Sequence, residues 1–225
     1  MPEPTTTSHS PAVEDYIKQI YKLEGQKNKI TTKSIAERLG LGSGTVSGML
    51  KQLASKGLIE HQPYHGVHLT EAGKALAMHV IRRHRLIELF LVETLDYDWD
   101  EVDDDAEQLE HAVSDALIER IDAKLGYPEV DPHGAPIPDA HGKLPKQDYK
   151  SMSAMEAGNR GEIRRVENSG PDFLQYLTGM GISLGTKIQI VKVAEFGMVH
   201  IRVDDRDVYL ATEAARRILV KPDSD

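Results

Sequence analysis

Apolar positions change their period several times along the chain. In residues 12–25, AVEDYIKQIYKLEG, the residues Val13, Ile17, Ile20, Tyr21 and Leu23 recur at helical spacing and predict an amphipathic helix. The following stretch, ITTKSIAERLGLGSGTVSGMLKQLASKGLIEHQPYHGVHLTEAGKAL, predicts helix, tight turn, helix and hairpin. Thr32 suits the cap of a helix ending at Leu39–Gly40, Leu41–Gly42 turns the chain, and Ser43 suits the cap of a second helix ending at Gly57. Val46, Leu50 and Leu53 would point that helix at a core. Leu58–Gln62 and Val67–Thr70 read as short strands around the turn Pro63-Tyr64-His65-Gly66. This order is that of a winged helix-turn-helix.

Helical spacing returns in residues 71–95, with Leu76, Val80, Ile87 and Leu91, and again in residues 101–125. The second of these predicts an apolar stripe of Leu109, Val113, Ala116 and Leu117. Asp103, Asp104 and Asp105 suit the positive end of its helix dipole. Residues 127–145 carry prolines at 128, 132, 136, 138 and 145 and read as a linker. From 160 to 222 the period shortens to that of strands (GEIRRVEN, TKIQIVKV, MVHIRV, DVYLAT), with a short helix near 172–179. Short strands at close intervals predict a small β-barrel. The expected fold is mainly α with a small β domain. Its parts are a winged helix-turn-helix in residues 1–75, a helical domain in 76–145 and a β-barrel domain in 146–225.

Charge sharpens this division. The net charge is −9, which by itself argues against a polyanionic partner. Residues 1–75, however, hold 9 Lys and Arg against 7 Asp and Glu, while residues 76–127 hold 5 against 14. The acid is concentrated in the middle, and the N-terminal third is free to meet DNA. There are no cysteines, which excludes disulfides, thiolate-ligated zinc and thiol catalysis. No apolar run approaches the roughly 20 residues of a membrane span. The polar N-terminus, MPEPTTTSHSP, lacks a signal pattern and reads as a loose tail, so a cytoplasmic location is expected.

Two sets of side chains carry chemistry. In a winged helix-turn-helix the second helix of the motif enters the major groove, and its early residues meet the bases. Ser43, Thr45 and Ser47 are short donors and acceptors at that place, Lys51 can reach a phosphate, and Tyr64 and His65 at the wing tip suit the sugar-phosphate backbone. Gly48 offers no side chain, which shifts weight to phosphate contacts and DNA shape.

The second set is acidic. Glu107, Glu110 and His111 stand at i, i+3 and i+4, one helix face. His84 and Glu88 repeat the i, i+4 spacing on the preceding helix, and Asp15 lies on the first. Carboxylates with imidazole and no sulfur suit Mn²⁺ or Fe²⁺, with Zn²⁺, Co²⁺ and Ni²⁺ as competitors. A lone Glu-x-x-Glu-His triplet is more often a solvated helix face. The repeat behind a helix-turn-helix favours a site.

The order winged helix, HRLIELFL, Glu-x-x-Glu-His-x-x-Ser, PHGxPIP and C-terminal β-barrel resembles the diphtheria-toxin-repressor family of metal-dependent transcription regulators, from about Val13 to Val220. The resemblance implies a homodimer whose C-terminal domain is SH3-like (FeoA-like). It implies that Fe²⁺ or Mn²⁺ drives binding to a near-palindromic double-stranded operator, with no membrane and no organic substrate. It places Asp15, Glu107, Glu110 and His111 at the primary metal site. His84 and Glu88 match an ancillary site, with Asp103 where the iron-sensing branch carries His, and Asp172, less closely Glu167, where the barrel lends ligands. In the iron-sensing branch the positions of Asp15 and Glu107 resemble Met and Cys; two carboxylates favour Mn²⁺. Lys18 stands where manganese regulators carry a second acid, which weighs against a binuclear cluster.

Other residues have plainer readings. His61, His65 and His68 alternate along the wing and are expected on one strand face, toward solvent or phosphate. His133 and His141 are expected to make turn contacts, Asp96, Asp98 and Asp100 to form a polar loop pinned by Trp99, and Met180 to pack in a core. Arg82, Arg83 and Arg85 could touch DNA or pair with the acidic helices, and pairing is the favoured expectation. Two other functions remain open at this stage. One is a winged-helix regulator gated by a non-metal ligand; the other is a metallohydrolase, for which no nucleophile or oxyanion motif is visible.

Overall fold

The computed structural model describes residues 9–25, 29–62, 66–167, 170–194 and 197–223. Tyr64 and His65, the expected wing-tip contacts, lie outside the described residues. The chain divides into two compact units, Met1–Arg83 with Pro138–Lys143, and His84–Ile137 with Leu144–Asp225.

The first unit is built from α1 (Pro11–Glu24), α2 (Thr32–Leu39), α3 (Ser43–Ser55), a hairpin of β1 (Ile59–Gln62) and β2 (Gly66–Leu69), and the start of α4 (Glu71–Leu95). Proline at the first position of α1 costs no hydrogen bond there. Thr31, not Thr32, caps α2: its hydroxyl accepts from the Ser34 amide while the Ser34 hydroxyl accepts from the Thr31 amide. Gly40 closes α2 at φ +65°, a left-handed conformation that glycine adopts without strain. Ser43 is the first residue of α3 rather than its cap, which is Gly42. Val46, Leu50 and Leu53 are fully buried, as their spacing predicts, together with Ile17, Ile20, Ile30, Ile35 and Val67. Glu60 pairs with His68 across the hairpin and His61 with Val67. Cross-strand partners share a face, so His61 and His68 point to opposite faces, against expectation. The two-residue side-chain period holds along one strand and does not carry across the turn.

The second unit joins the rest of α4 to α5 (Val102–Leu109), α6 (Asp115–Lys124) and a β domain. The single helix expected over 101–125 is broken. α5 gives way to a turn at Glu110–Val113, and the Ser114 side chain caps α6 by accepting from the Leu117 amide. The break also changes which residues are buried. Leu109 is 40% and Leu117 45% exposed, while Val102, Ala106 and Glu110 are fully buried, a face repeating every four residues. The β domain is one antiparallel sheet in the order β3 (Lys150–Ser151), β8 (Ile218–Pro222), β4 (Arg160–Val166), β5 (Lys187–Ala194), β6 (Met198–Val203) and β7 (Arg206–Ala211). α7 (Pro171–Gly179) and α8 (Thr212–Arg216) accompany it. Its core includes Ile163, Leu174, Leu177, Ile190, Ile201 and Val220, and Met180 packs partly buried against it, as expected.

The proline-rich stretch is not a linker. Asp131, His133, Pro136, Ile137 and Pro138 are buried, and Ile137 belongs to the helical core with Leu86, Ile87 and Ile118. The Asp131 carboxylate accepts from the His133 and Ala135 amides and folds a tight turn. Gly134, at φ +81°, lies so close to β4 that an added Cβ would stand 1.9 Å from the Arg164 carbonyl oxygen. The β4–β8 register slips between Ile163 and Arg165, at that same place. Arg85 holds the turn through Asp131 (3.5 Å) and the Pro136 carbonyl, and Arg82 donates to the Pro138 carbonyl (3.0 Å). Proline-rich composition described backbone stiffness, and the arginines supply the anchoring.

Two helical glycines separate packing from propensity. A Cβ at Gly73 would lie 2.0 Å from the Leu58 carbonyl oxygen, whereas one at Gly48 meets nothing within 4 Å. Gly73→Ala is expected to destabilise by about 1–3 kcal/mol through overpacking. Gly48→Ala is expected to stabilise by up to about 1 kcal/mol. Urea unfolding midpoints of the two variants measure both effects.

Candidate metal centre

The candidate centre lies in the second unit, where α4, α5 and the 131–137 turn bring ionisable side chains into a buried space. His84, in α4, is its hub. Its ring is buried, and both nitrogens face carboxylates. Nδ1 stands 2.7 Å from Glu110 and 3.7 Å from Glu107; Nε2 stands 3.4 Å from Glu88 and 3.4 Å from Asp103. Glu110 is fully buried in the turn after α5 and also lies 3.4 Å from His111 Nε2. The helix break matters here. Glu110 keeps the right-handed helical conformation (φ −55°, ψ −30°) and its amide bonds to the Ala106 carbonyl, so Glu107, Glu110 and His111 still share a face.

Ligand atoms from Glu107, Glu110 and His111 come within 4.8 Å of one another, as do those of His84, Glu88 and Asp103. Sequence spacing singled out the first set and the His84–Glu88 pair of the second; Asp103 was expected there from the family resemblance. A third set, Glu88, Asp131 and His133, meets the same limit with all three residues buried. Sequence reasoning missed it. The i, i+4 rule cannot relate α4 to a turn more than forty residues later; the only sign was the His in PHGxPIP. Asp172 is exposed in the first turn of α7 and is in none of these sets. Glu167 faces Arg165 at 3.3 Å instead. Asp15 lies half-buried on α1 in the first unit, and Lys18, one turn later, is fully buried. Of the expected DNA contacts, Ser43, Thr45 and Lys51 are exposed on α3, and the Ser47 hydroxyl donates to the Ser43 carbonyl at 2.8 Å.

Electrostatics bind these groups together. Burial alone would lower the His84 pKa, but the Glu88 charge and bonds to Asp103, Glu110 and Glu88 outweigh it and hold it well above 6.5. For Glu88, burial pushes upward and the His84 charge pulls the pKa below its usual value. Asp131 is raised, chiefly by burial and by the Glu88 charge. Without a bound ion, a protonated His84 is thus the positive charge at the middle of the acids. A folded-state pKa above the unfolded one gives stability that is complete below pH 6.5 and fades as pH rises through the folded value. The donor set fits a hard or borderline divalent cation: carboxylate oxygens and imidazole nitrogens, buried, with no sulfur.

Three adjacent family matches cover the chain. Residues 9–67 match the iron dependent repressor N-terminal DNA binding domain. Residues 70–139 match the iron dependent repressor metal binding and dimerisation domain, and residues 150–222 match the FeoA domain. The diphtheria toxin repressor of Corynebacterium efficiens is 30% identical over 218 residues, covering 92% of this chain and 94% of that protein. The iron-dependent repressor IdeR of Mycobacterium tuberculosis is 37% identical over 125 residues, 56% of this chain and 54% of that one. A solved manganese-dependent transcriptional repressor in complex with manganese has 41% identity and a TM-score of 0.86, covering 93% of this chain and 99% of that one. A winged helix, a metal-binding helical domain and an SH3-like β domain in this order define a class of regulator. The chain belongs to the diphtheria-toxin-repressor family of metal-dependent transcriptional regulators.

In the cation-free protein, an NMR titration of the imidazole is expected to place the His84 midpoint above 6.5. Glu88→Gln should move that midpoint down, because it removes the strongest of the raising influences. A midpoint at or below 6.5 in the wild type would contradict the arrangement.

Proposed function

We propose that this chain is a repressor of metal-ion homeostasis genes that binds a near-palindromic operator as a homodimer when Mn²⁺ occupies the acidic centre. The coarser statements follow from the family: the chain is a metal-dependent DNA-binding regulator, a dimer, and not an enzyme. Among the described residues no helix is long and apolar enough to cross a membrane. The observation that carries the reading is the buried Glu110, set between His84 and His111 with Glu107 beside it.

Glu107, Glu110 and His111 are the proposed primary ligands. Asp15 joins them on the strength of its place in α1 and its sequence match to the family. His84, Glu88 and Asp103 form the proposed ancillary set, extended by Asp131 and His133; Asp172 has no support from its exposed position. A divalent cation supplies the positive charge that lets neighbouring carboxylates remain ionised together. Mn²⁺ is favoured over Fe²⁺ by the acids at positions 15 and 107; Zn²⁺, Co²⁺ and Ni²⁺ can compete for the same donors. The likeness to the manganese-bound repressor supports the same choice.

Each residue has a separable task. Glu110 is fully buried, so its ionised form needs a positive partner. His84 provides that partner while protonated and becomes a neutral nitrogen donor once deprotonated. On α3, the exposed Ser43, Thr45 and Lys51 offer two hydroxyls and an ammonium to bases and phosphates, with Ser47 behind them. Exposed Leu95, Leu109 and Leu117 give the helical unit an apolar surface suited to a second copy. Two α3 helices would then read half-sites roughly 34 Å apart. Coupling arises because the cation binds one arrangement of the dimer better than others.

Fluorescence anisotropy with operator DNA tests this. Mn²⁺ is expected to strengthen wild-type binding at least tenfold, EDTA to reverse it, and Glu110→Gln to abolish the stimulation. Binding indifferent to EDTA would favour gating by an organic ligand instead.

A further inference from the structure

Trp99 is the only tryptophan of the chain, and it joins two parts of the second unit. Among the described residues packed on the core of the β domain, it alone comes from outside residues 150–222. Its indole Nε1–H donates to the Thr178 hydroxyl on α7 at 3.0 Å, and next to it Gln175 donates to Asp100 at 2.9 Å. The other end of the residue points to the acidic centre. The Trp99 carbonyl stands 2.7 Å from His133 Nε2, and the two rings stack at 6.1 Å.

A carbonyl oxygen can only accept, so His133 Nε2 must carry the proton in that bond. In the neutral ring this leaves Nδ1 as a lone pair. Nδ1 lies 3.6 Å from Glu88 Oε1, within the set formed by Glu88, Asp131 and His133. The Trp99 carbonyl therefore selects the tautomer that a cation at Glu88 would need, as outer partners of metal-binding histidines commonly do. The same residue's side chain fixes where that carbonyl sits by anchoring in the β domain.

We propose that Trp99 is a positioning residue that couples docking of the FeoA-like domain to cation affinity at the Glu88–Asp131–His133 set. The domain acts through the Trp99 side chain, its carbonyl and the His133 tautomer. By reciprocity, a cation at Glu88 tightens the α7 contact with Trp99 by the same factor. The proposal rests on the reading of this set as a cation site.

The test uses the full-length protein and Zn²⁺, in a His111→Gln background that disables the set containing Glu107 and Glu110. Isothermal titration measures Zn²⁺ affinity, and emission of the lone tryptophan reports its surroundings with and without the ion. Zn²⁺ is expected to shift Trp99 emission. Thr178→Val, which keeps shape and removes the hydroxyl, should weaken Zn²⁺ binding about three- to tenfold, the worth of one hydrogen bond. It should also red-shift the emission of the cation-free protein, and Thr178→Ser should restore both. Gln175→Leu, at an exposed position, should weaken binding about twofold with the fold intact. Zn²⁺ affinity unchanged in both Thr178→Val and Gln175→Leu overturns the coupling. If adding Glu88→Gln leaves the Zn²⁺ equivalents unchanged, Glu88 holds no cation, and the underlying reading fails first.

Discussion

The helical unit depends on the balance of charge around one buried imidazole. Glu110 and Glu88 are buried acids, and each faces a different nitrogen of His84. Taking a carboxylate out of water costs several kcal/mol unless an opposite charge accompanies it. A protonated His84 serves two such acids at once, with Glu107 and Asp103 at its edges. The α4–α5 packing, through Leu86, Val102 and Ala106, therefore closes over a charged interior. A proton is an adequate partner for this cluster, and a divalent cation is a stronger one.

His84 also links sets of candidate ligands that sequence spacing treats as separate. Its Nδ1 belongs with Glu107 and Glu110, and its Nε2 with Glu88 and Asp103. Glu88 in turn faces His133, which is held by the carbonyl of Trp99, whose side chain packs on the core of the β domain. A change at either end meets the same two residues, which gives a structural route between the FeoA-like domain and the acidic centre. Arg85 and Asp131 keep the 131–137 turn fixed along that route.

Much of the fold was legible in the sequence because its main determinants are local. The α3 core positions Val46, Leu50 and Leu53, the whole of α4 and most strand positions follow from period and turn residues. The metal candidates Glu107, Glu110 and His111 were legible for the same reason. What was not legible depended on contacts distant in sequence. The break after α5 comes from the Ser114 cap, which continuous helical spacing conceals. The burial of Glu110 in place of Leu109 is set by α4, where His84 offers it a partner. Asp131 and His133 were hidden by prolines that resemble a linker, and only the contacts of Arg85 and Gly134 show why that stretch packs.

The central claim is that a proton on His84 and a bound cation are alternatives. Isothermal titration of Mn²⁺ at pH 7, repeated in buffers of different ionisation enthalpy, counts the protons displaced on binding. About one proton per protomer should leave the wild-type protein, and fewer should leave His84→Gln. Cation binding with no proton release from the wild type would contradict the claim.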